Sequence, residues 1–160
     1  MTKLSTCVWC NYTAEEQAKF YTALLPDSRI TRVQRTPADT PSQKAGDVIV
    51  VELELLGQQF ILLNGGDMFR HSEAVSFVIP TKDQAETDHY WNAIVDNGGA
   101  ESMCGWCKDK WGISWQVTPD RLIELAYDNP DADSARRAME AMMTMRKIDI
   151  AAIERAAEAA

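Results

Sequence analysis

Between Asp47 and Leu55 the chain alternates, with Ile49, Val51, Leu53 and Leu55 on one side and Glu52 and Glu54 on the other. A period of two marks a strand with one buried face. The apolar run Gln58 to Asn64 follows across Leu56-Gly57, so the two segments predict a hairpin with its bend at that dipeptide. Upstream, residues 4–10 (Leu-Ser-Thr-Cys-Val-Trp-Cys) read as a first strand. Thr13-Ala-Glu-Glu16 has the spacing of a capping box, in which a hydroxyl and a carboxylate satisfy the first helical amides. Ala14, Ala18, Tyr21, Leu24 and Leu25 then recur at helical spacing, which predicts a helix over 14–25 stopped by Pro26. A short strand at 29–35 and a loop at 36–46, rich in Pro, Gly and Ser, complete the first half.

The same order recurs in the second half. Glu73 to Ile79 reads as a strand, with Val75, Phe77 and Ile79 alternating with Ala74, Ser76 and Val78. Asp83-Gln-Ala-Glu86 is a second capping box, and Trp91, Ile94 and Val95 carry an apolar helix face to Asn97-Gly98-Gly99, which closes it. Strands are expected at about 100–106, 112–118 and 121–127, the middle one alternating Ile113, Trp115 and Val117 with Ser114, Gln116 and Thr118. Beyond Pro130 the chain turns helical, with Met139, Met142, Met143 and Arg146 on one face, and Ile150 and Ile153 mark a second short helix. The two halves match in element order and not in residue identity.

The predicted fold is α+β: two βαβββ modules, at about 4–66 and 73–127, forming curved mixed sheets, with a helical tail at about 130–158. In each strand set one face is apolar enough to hold helices, and the other is mixed. A mixed face either encloses a ligand cavity or opens to water, and the pattern alone leaves both readings open.

Composition narrows the class of partner. A net charge of −8 and an isoelectric point near 4.7 argue against nucleic acid, which needs clustered basic surface. No apolar run reaches the ~20 residues needed to span a bilayer, and no signal-peptide core follows Met1. A cytoplasmic protein is expected, with its four cysteines reduced.

Two Cys-x-x-Cys pairs, Cys7 to Cys10 and Cys104 to Cys107, raise structural zinc. Residues three apart on a strand point to opposite faces, so the first pair cannot chelate one ion; the second holds a turn glycine and is the better candidate. Small half-buried thiols explain both pairs more simply. Neither pair opens a helix that would lower a thiol pKa for redox work. Of the two histidines, His89 lies mid-helix, whereas His71 sits before a strand with Glu73 as its nearest possible orienting partner. No dinucleotide, phosphate-loop or nucleophile-elbow pattern is present. Asn64-Gly65-Gly66 permits a close backbone approach, which a plain turn also requires. The methionines at 139–145 read as adaptable packing, or less simply as a ligand groove.

Several segments together resemble a known family: Ala14-Glu-Glu-Gln-Ala-Lys-Phe-Tyr21, Phe60-Ile-Leu-Leu-Asn-Gly-Gly66, Glu73-Ala-Val-Ser-Phe77, Cys104-Gly-Trp106, Trp111-Gly-Ile-Ser-Trp-Gln-Val117 and Met142-Met-Thr-Met-Arg-Lys-Ile-Asp-Ile150. They are similar to the PhnB-like, 3-demethylubiquinone-9 3-methyltransferase branch of the vicinal-oxygen-chelate (glyoxalase/bleomycin-resistance) superfamily. The likeness runs from about residue 4 to 155, within a single domain over 1–160. It implies paired βαβββ modules, a homodimer in which modules can be exchanged between chains, and a small-molecule ligand held by curved sheets. It implies no single activity.

Metal-using relatives place ligands at positions that correspond here to Thr6, Leu62, Ala74 and Gln116, of which only Gln116 is a credible donor. No metal site and no cofactor are therefore predicted, with a bound divalent metal as the alternative. Nor is a glycine-rich methyl-donor loop visible. The reading is a small-molecule-binding protein, with a lyase, isomerase or transferase as the alternative. Glu52, Asn64, Ser76, Ser114 and Gln116 are the expected polar contacts, Phe69 and Trp106 the expected aromatic walls, and His71 the one candidate base. Strand parity assigns Trp115 to the core.

Overall fold

The computed structural model describes residues 4–159, which fall into two compact units divided between Arg70 and His71.

In the first unit the chain runs β1 (Thr6–Cys10), α1 (Ala14–Leu24), β2 (Arg29–Arg35), β3 (Val48–Leu55) and β4 (Gln58–Asn64). The sheet order is β1-β4-β3-β2, with β1 parallel to β4 and the other pairs antiparallel. The hairpin turns where expected: Leu56 and Gly57 both have positive φ, at 49° and 80°. That backbone twist matches the twist of the strands it joins. Helix α1 lies against β3 and β4 and buries Ala14, Ala18 and Tyr21 there. The strand residues on that side are Val8 and Cys10 of β1, Val51, Leu53 and Leu55 of β3, and Phe60 and Leu62 of β4. Ile49 departs from the predicted face, because Val48 is the buried residue. A register shift opposite Gln34 and Arg35 leaves Ile49 as an extra residue, and such a bulge inverts the side-chain parity beyond it.

The second unit runs β5 (Ser76–Thr81), α2 (Gln84–Asp96), β6 (Ala100–Glu101), β7 (Trp106–Lys108), β8 (Ser114–Pro119), α3 (Asp120–Ala126), α4 (Ala132–Met142) and α5 (Ile150–Glu158). Its sheet order, β5-β8-β7-β6, repeats the first, again with the outer pair β5 and β8 parallel. Each unit thus contains one βαβββ module. The second capping box forms in half: Asp83 accepts from Glu86 N at 2.8 Å, whereas Glu86 accepts from Lys82 N, one residue before the cap, at 2.8 Å. Trp91 and Ile94 of α2 are buried with Ile79, Trp115 and Val117 of the sheet. The hydroxyls of Thr81 and Thr87 lie 2.7 Å apart in the same layer.

Three expectations are corrected here. The segment expected as a strand at 121–127 is helix α3, whose Leu122 and Ala126 are buried four residues apart. That spacing is helical and not alternating. The strand expected at 100–106 is only two residues long, because the chain reverses at Cys104 and Gly105, with φ of 59° and 81°. The methionines do not share one face: α4 ends at Met142, which is buried, and Met143 beyond it is exposed.

The C-terminal helices have their own small core of Leu122, Ala126, Ala138, Met142, Ile148, Ile153 and Ala157. Ser134 Oγ and Arg137 both donate to the Ala157 carbonyl at the end of α5. The segment between α4 and α5 straps this layer to the module. Cys104 N and Gly105 N donate to the carbonyls of Met145 and Arg146, each at 2.7 Å. Gln84 donates to Ile148 O at 3.0 Å and accepts from Ile150 N at 2.9 Å. Ion pairs Arg146–Glu101 at 3.1 Å and Lys147–Asp88 at 2.8 Å flank the strap.

Candidate functional site

The face of the second module's sheet turned away from α2 carries Ser76 and Val78 of β5, Gln116 and Thr118 of β8, and Trp106 of β7. Strand register sets Val78, Gln116 and Trp106 side by side in one row, and Ser76, Ser114 and Lys108 in the next. Gln116 Nε2 donates to Ser76 Oγ at 2.8 Å, which fixes the orientation of the amide. Ser114 Oγ is buried and is the one buried side-chain polar atom without a hydrogen-bond partner among the described residues.

Beside this face lies a recess of about 190 Å³. Cys104, Trp106, Gln116 and Thr118 of the module form one side of it, and Leu122, Ile123, Tyr127 and Met142 of the helices form the other. The Cys104-Gly105 reversal makes this possible, and glycine is needed there. A Cβ on Gly105 would lie 2.9 Å from Val117 O and 3.1 Å from Ile148.

His71 is half-buried at the start of this unit. Because β5 begins only at Ser76, His71 and Glu73 do not share a strand face. Glu73 is ion-paired with Lys108, whose hydrogen bond holds its carboxyl below the ordinary 4.5.

The remaining predicted residues belong to the first unit. Glu52 accepts from Gln34 at 2.6 Å and lies 3.8 Å from Arg32. Asn64 is buried, with both ends of its amide engaged by backbone: Oδ1 accepts from Ala14 N at 3.0 Å, and Nδ2 donates to Val48 O at 2.9 Å. It therefore caps α1, the role expected of Thr13, whose hydroxyl instead accepts from Gln17 at 2.7 Å. Phe69 packs edge-on against Trp9, with ring centroids 4.8 Å apart. The Trp9 indole also explains Gly65, since a Cβ there would meet its ring at 2.2 Å. A shallow depression of about 440 Å³ near Tyr12, Gln43, Asp47 and Asn64 completes this unit. Its polar groups serve the fold: Gln43 donates to Val48 O, and Asp47 accepts from Lys44 N.

The cysteines are free thiols. Cys7 is exposed and Cys10 buried, as strand parity requires of residues three apart. Burial, with help from Asp109 and Glu101, pushes the Cys107 thiol up to about 12, too high for a redox nucleophile at neutral pH. A metal fits no better. Leu62 is sealed beneath α1 and Ala74 precedes β5, which leaves Gln116 alone on the open face. Among the described residues no group of three His, Cys, Asp or Glu could hold an ion. Also among them, no helix is long and apolar enough to cross a membrane.

The turn that opens the Trp111-Gly-Ile-Ser-Trp-Gln segment is structural. Asp109 accepts from Trp111 N and Ile113 N at 3.0 Å each, and from the Trp115 indole at 2.9 Å. Gly112, at φ 87°, closes the turn. Of the residues lining the recess, Cys104, Thr118, Leu122, Ile123 and Tyr127 were not expected as contacts, and Met142 was expected chiefly as packing. The helical spacing of Leu122 and Ala126 is the signal that could have placed Ile123 and Tyr127.

Comparison with known proteins agrees with this layout. The family described as 3-demethylubiquinone-9 3-methyltransferase matches residues 2–118. Among solved structures, the PhnB protein from Bacillus cereus is 29% identical with a TM-score of 0.66, over 74% of this chain and 99% of that one. Protein PA1353 from Pseudomonas aeruginosa shares the fold at 16% identity and a TM-score of 0.55, over 74% of this chain and 98% of its own. No curated protein matches the sequence. The chain belongs to the PhnB-like 3-demethylubiquinone-9 3-methyltransferase family.

Proposed function

We propose that this is a small-molecule-binding protein whose ligand sits on the open face of the second module's sheet, beside Gln116 and Trp106. One observation carries the reading: a hydrogen-bonded amide, an indole and the Thr118 hydroxyl meet in a hollow of about 190 Å³. Sites for small molecules are mostly apolar clefts with a few fixed polar groups. Glu52, Asn64 and Phe69 serve the first unit in this reading and do not touch the ligand.

The reaction in the family's description is not part of the proposal. No His, Asp, Glu or Lys, the side chains that most often serve as general acid or base, lines the recess. Glu73, the partner His71 would need, is held by Lys108. The proposal includes a cytoplasmic location, which suits four free thiols. It also includes a homodimer, for which the edge strand β2 with exposed Ile30 and Val33 offers a surface.

Native mass spectrometry with elemental analysis tests the reading. The expected species is a dimer of 17.9 kDa chains carrying a small organic molecule that Gln116→Ala no longer retains. A stoichiometric metal, or a molecule retained equally by Gln116→Ala, would contradict it.

A further inference from the structure

The family match ends at residue 118, and the Bacillus cereus structure is spanned almost end to end by 74% of this chain. Helices α3, α4 and α5 lie beyond the match. They are nevertheless fixed to the second module by the strap at Met145 and Arg146, the double contact of Gln84 and two flanking ion pairs. Half of the recess belongs to α3, with the Tyr127 that follows it, and to α4, through Leu122, Ile123, Tyr127 and Met142.

We infer that these helices are a built-in wall that turns the open sheet face into a pocket selective for a neutral, single-ring amphiphile. The inference rests on the preceding reading that a ligand occupies this face. It then asks what the added wall selects.

Charge is the first criterion. No Lys, Arg, His, Asp or Glu lines the recess. An ionic ligand would lose water there without gaining a countercharge, a large penalty for either sign. Shape is the second. Trp106 on one side and Tyr127 and Ile123 on the other present flat and branched apolar surfaces, which suits an aromatic ring. At about 190 Å³, the hollow is smaller than the ~300–1,000 Å³ of drug-sized sites, which suits a ring with a short substituent. Polarity is the third. With Gln116 Nε2 turned to Ser76, its Oε1 is the end presented as an acceptor, so a hydroxyl or amide N–H on the ring is the matching group. Tyr127 and Ile123 are 58% and 36% exposed. Large apolar side chains left open at the rim of a pocket gain cover when it fills.

The test is a ligand-observed NMR titration of the intact protein with benzyl alcohol, benzoate and benzylammonium. Benzyl alcohol is expected to bind, and each ion to bind at least about tenfold more weakly. Tyr127→Ala and Ile123→Ser should each weaken benzyl alcohol roughly fivefold by removing apolar contact, while thermal melting stays near that of the unaltered protein. Gln116→Ala should weaken it as well.

The outcomes separate the two claims. If the rim variants leave binding unchanged while Gln116→Ala abolishes it, the helical wall is refuted and the sheet-face site survives. Equal binding of all three probes overturns the selectivity. If nothing binds, or Gln116→Ala has no effect, the sheet-face reading fails and the inference fails with it.

Discussion

The two modules share one topology and differ in the face each turns away from its helix. On the first, charge meets charge: Arg29 pairs with Glu54 at 2.6 Å, and Glu52 is engaged by Gln34 and approached by Arg32. On the second, the corresponding face carries Ser76, Gln116, Thr118 and Trp106 with a single ion pair, Lys108–Glu73, at its edge, and helices α3 and α4 wall one end of it. The strands differ as well. β2 and β3 have seven and eight residues, whereas their counterparts β6 and β7 have two and three. Strand order therefore decides where a face lies, and side-chain chemistry decides whether it holds water, ions or a ligand. The first face is saturated by its own partners; the second has an amide and a hydroxyl to offer.

That contrast can be broken at several points. The largest effect is expected at Asn64. Asn64→Ala strands the buried Ala14 N that the amide serves and leaves Val48 O with Gln43 as its remaining side-chain donor. It should cost about 2 kcal/mol in urea denaturation while leaving benzyl alcohol binding intact. A binding loss without a stability loss would move Asn64 back among the ligand contacts.

The strap responds to acid. The Arg146 hydrogen bond, with the Trp91 indole, holds the Glu101 carboxyl below its ordinary 4.5, and Lys147 and Gln84 hold Asp88 below 3.8. For a depressed carboxylate, the stabilisation is whole above the unfolded value and is lost as pH falls through the lower folded value. Thermal melts of the unaltered protein and a Glu101→Gln, Asp88→Asn variant should therefore differ at pH 6 and converge below about pH 3.8. A gap that stays constant well below pH 3.8 would mean that these pairs do not hold the strap.

The smallest effect belongs to the first module's exposed pairs. Arg29→Gln should change stability by about 0.5 kcal/mol or less, since such pairs gain little against solvent. A loss several times larger in urea denaturation would show that the charged face is structurally essential and not merely saturated.

Much of this was readable in the sequence, for local reasons. The Leu56-Gly57 hairpin, the helix after Thr13 and the Asp83 capping box are each written within a few residues. What escaped notice depends on distant contacts. Asn64 caps a helix fifty residues upstream, which no window of sequence displays. The bulge at Ile49 arises from pairing with β2, so parity counted along β3 alone misplaced it. Leu122-Ile-Glu-Leu125 carries apolar residues that suit a strand or a helix, and packing of Leu122 and Ala126 against the C-terminal core decides for helix. Because that segment was read as a strand, Tyr127 and Ile123 went unrecognised. The candidate site was therefore half legible: Gln116 and Trp106 from strand parity, the opposite wall not at all.

The contrast between the modules can be read from a single spectrum. Of the five tryptophans, Trp9 lies in the first unit, and Trp91, Trp106, Trp111 and Trp115 lie in the second. Each indole N–H gives its own signal in a proton–nitrogen correlation experiment, and benzyl alcohol can be titrated against all five at once. The Trp106 signal should move saturably while that of Trp9 stays in place. Movement of Trp9 with Trp106 unmoved, or no movement of either at millimolar probe, would contradict a ligand seat on the second module.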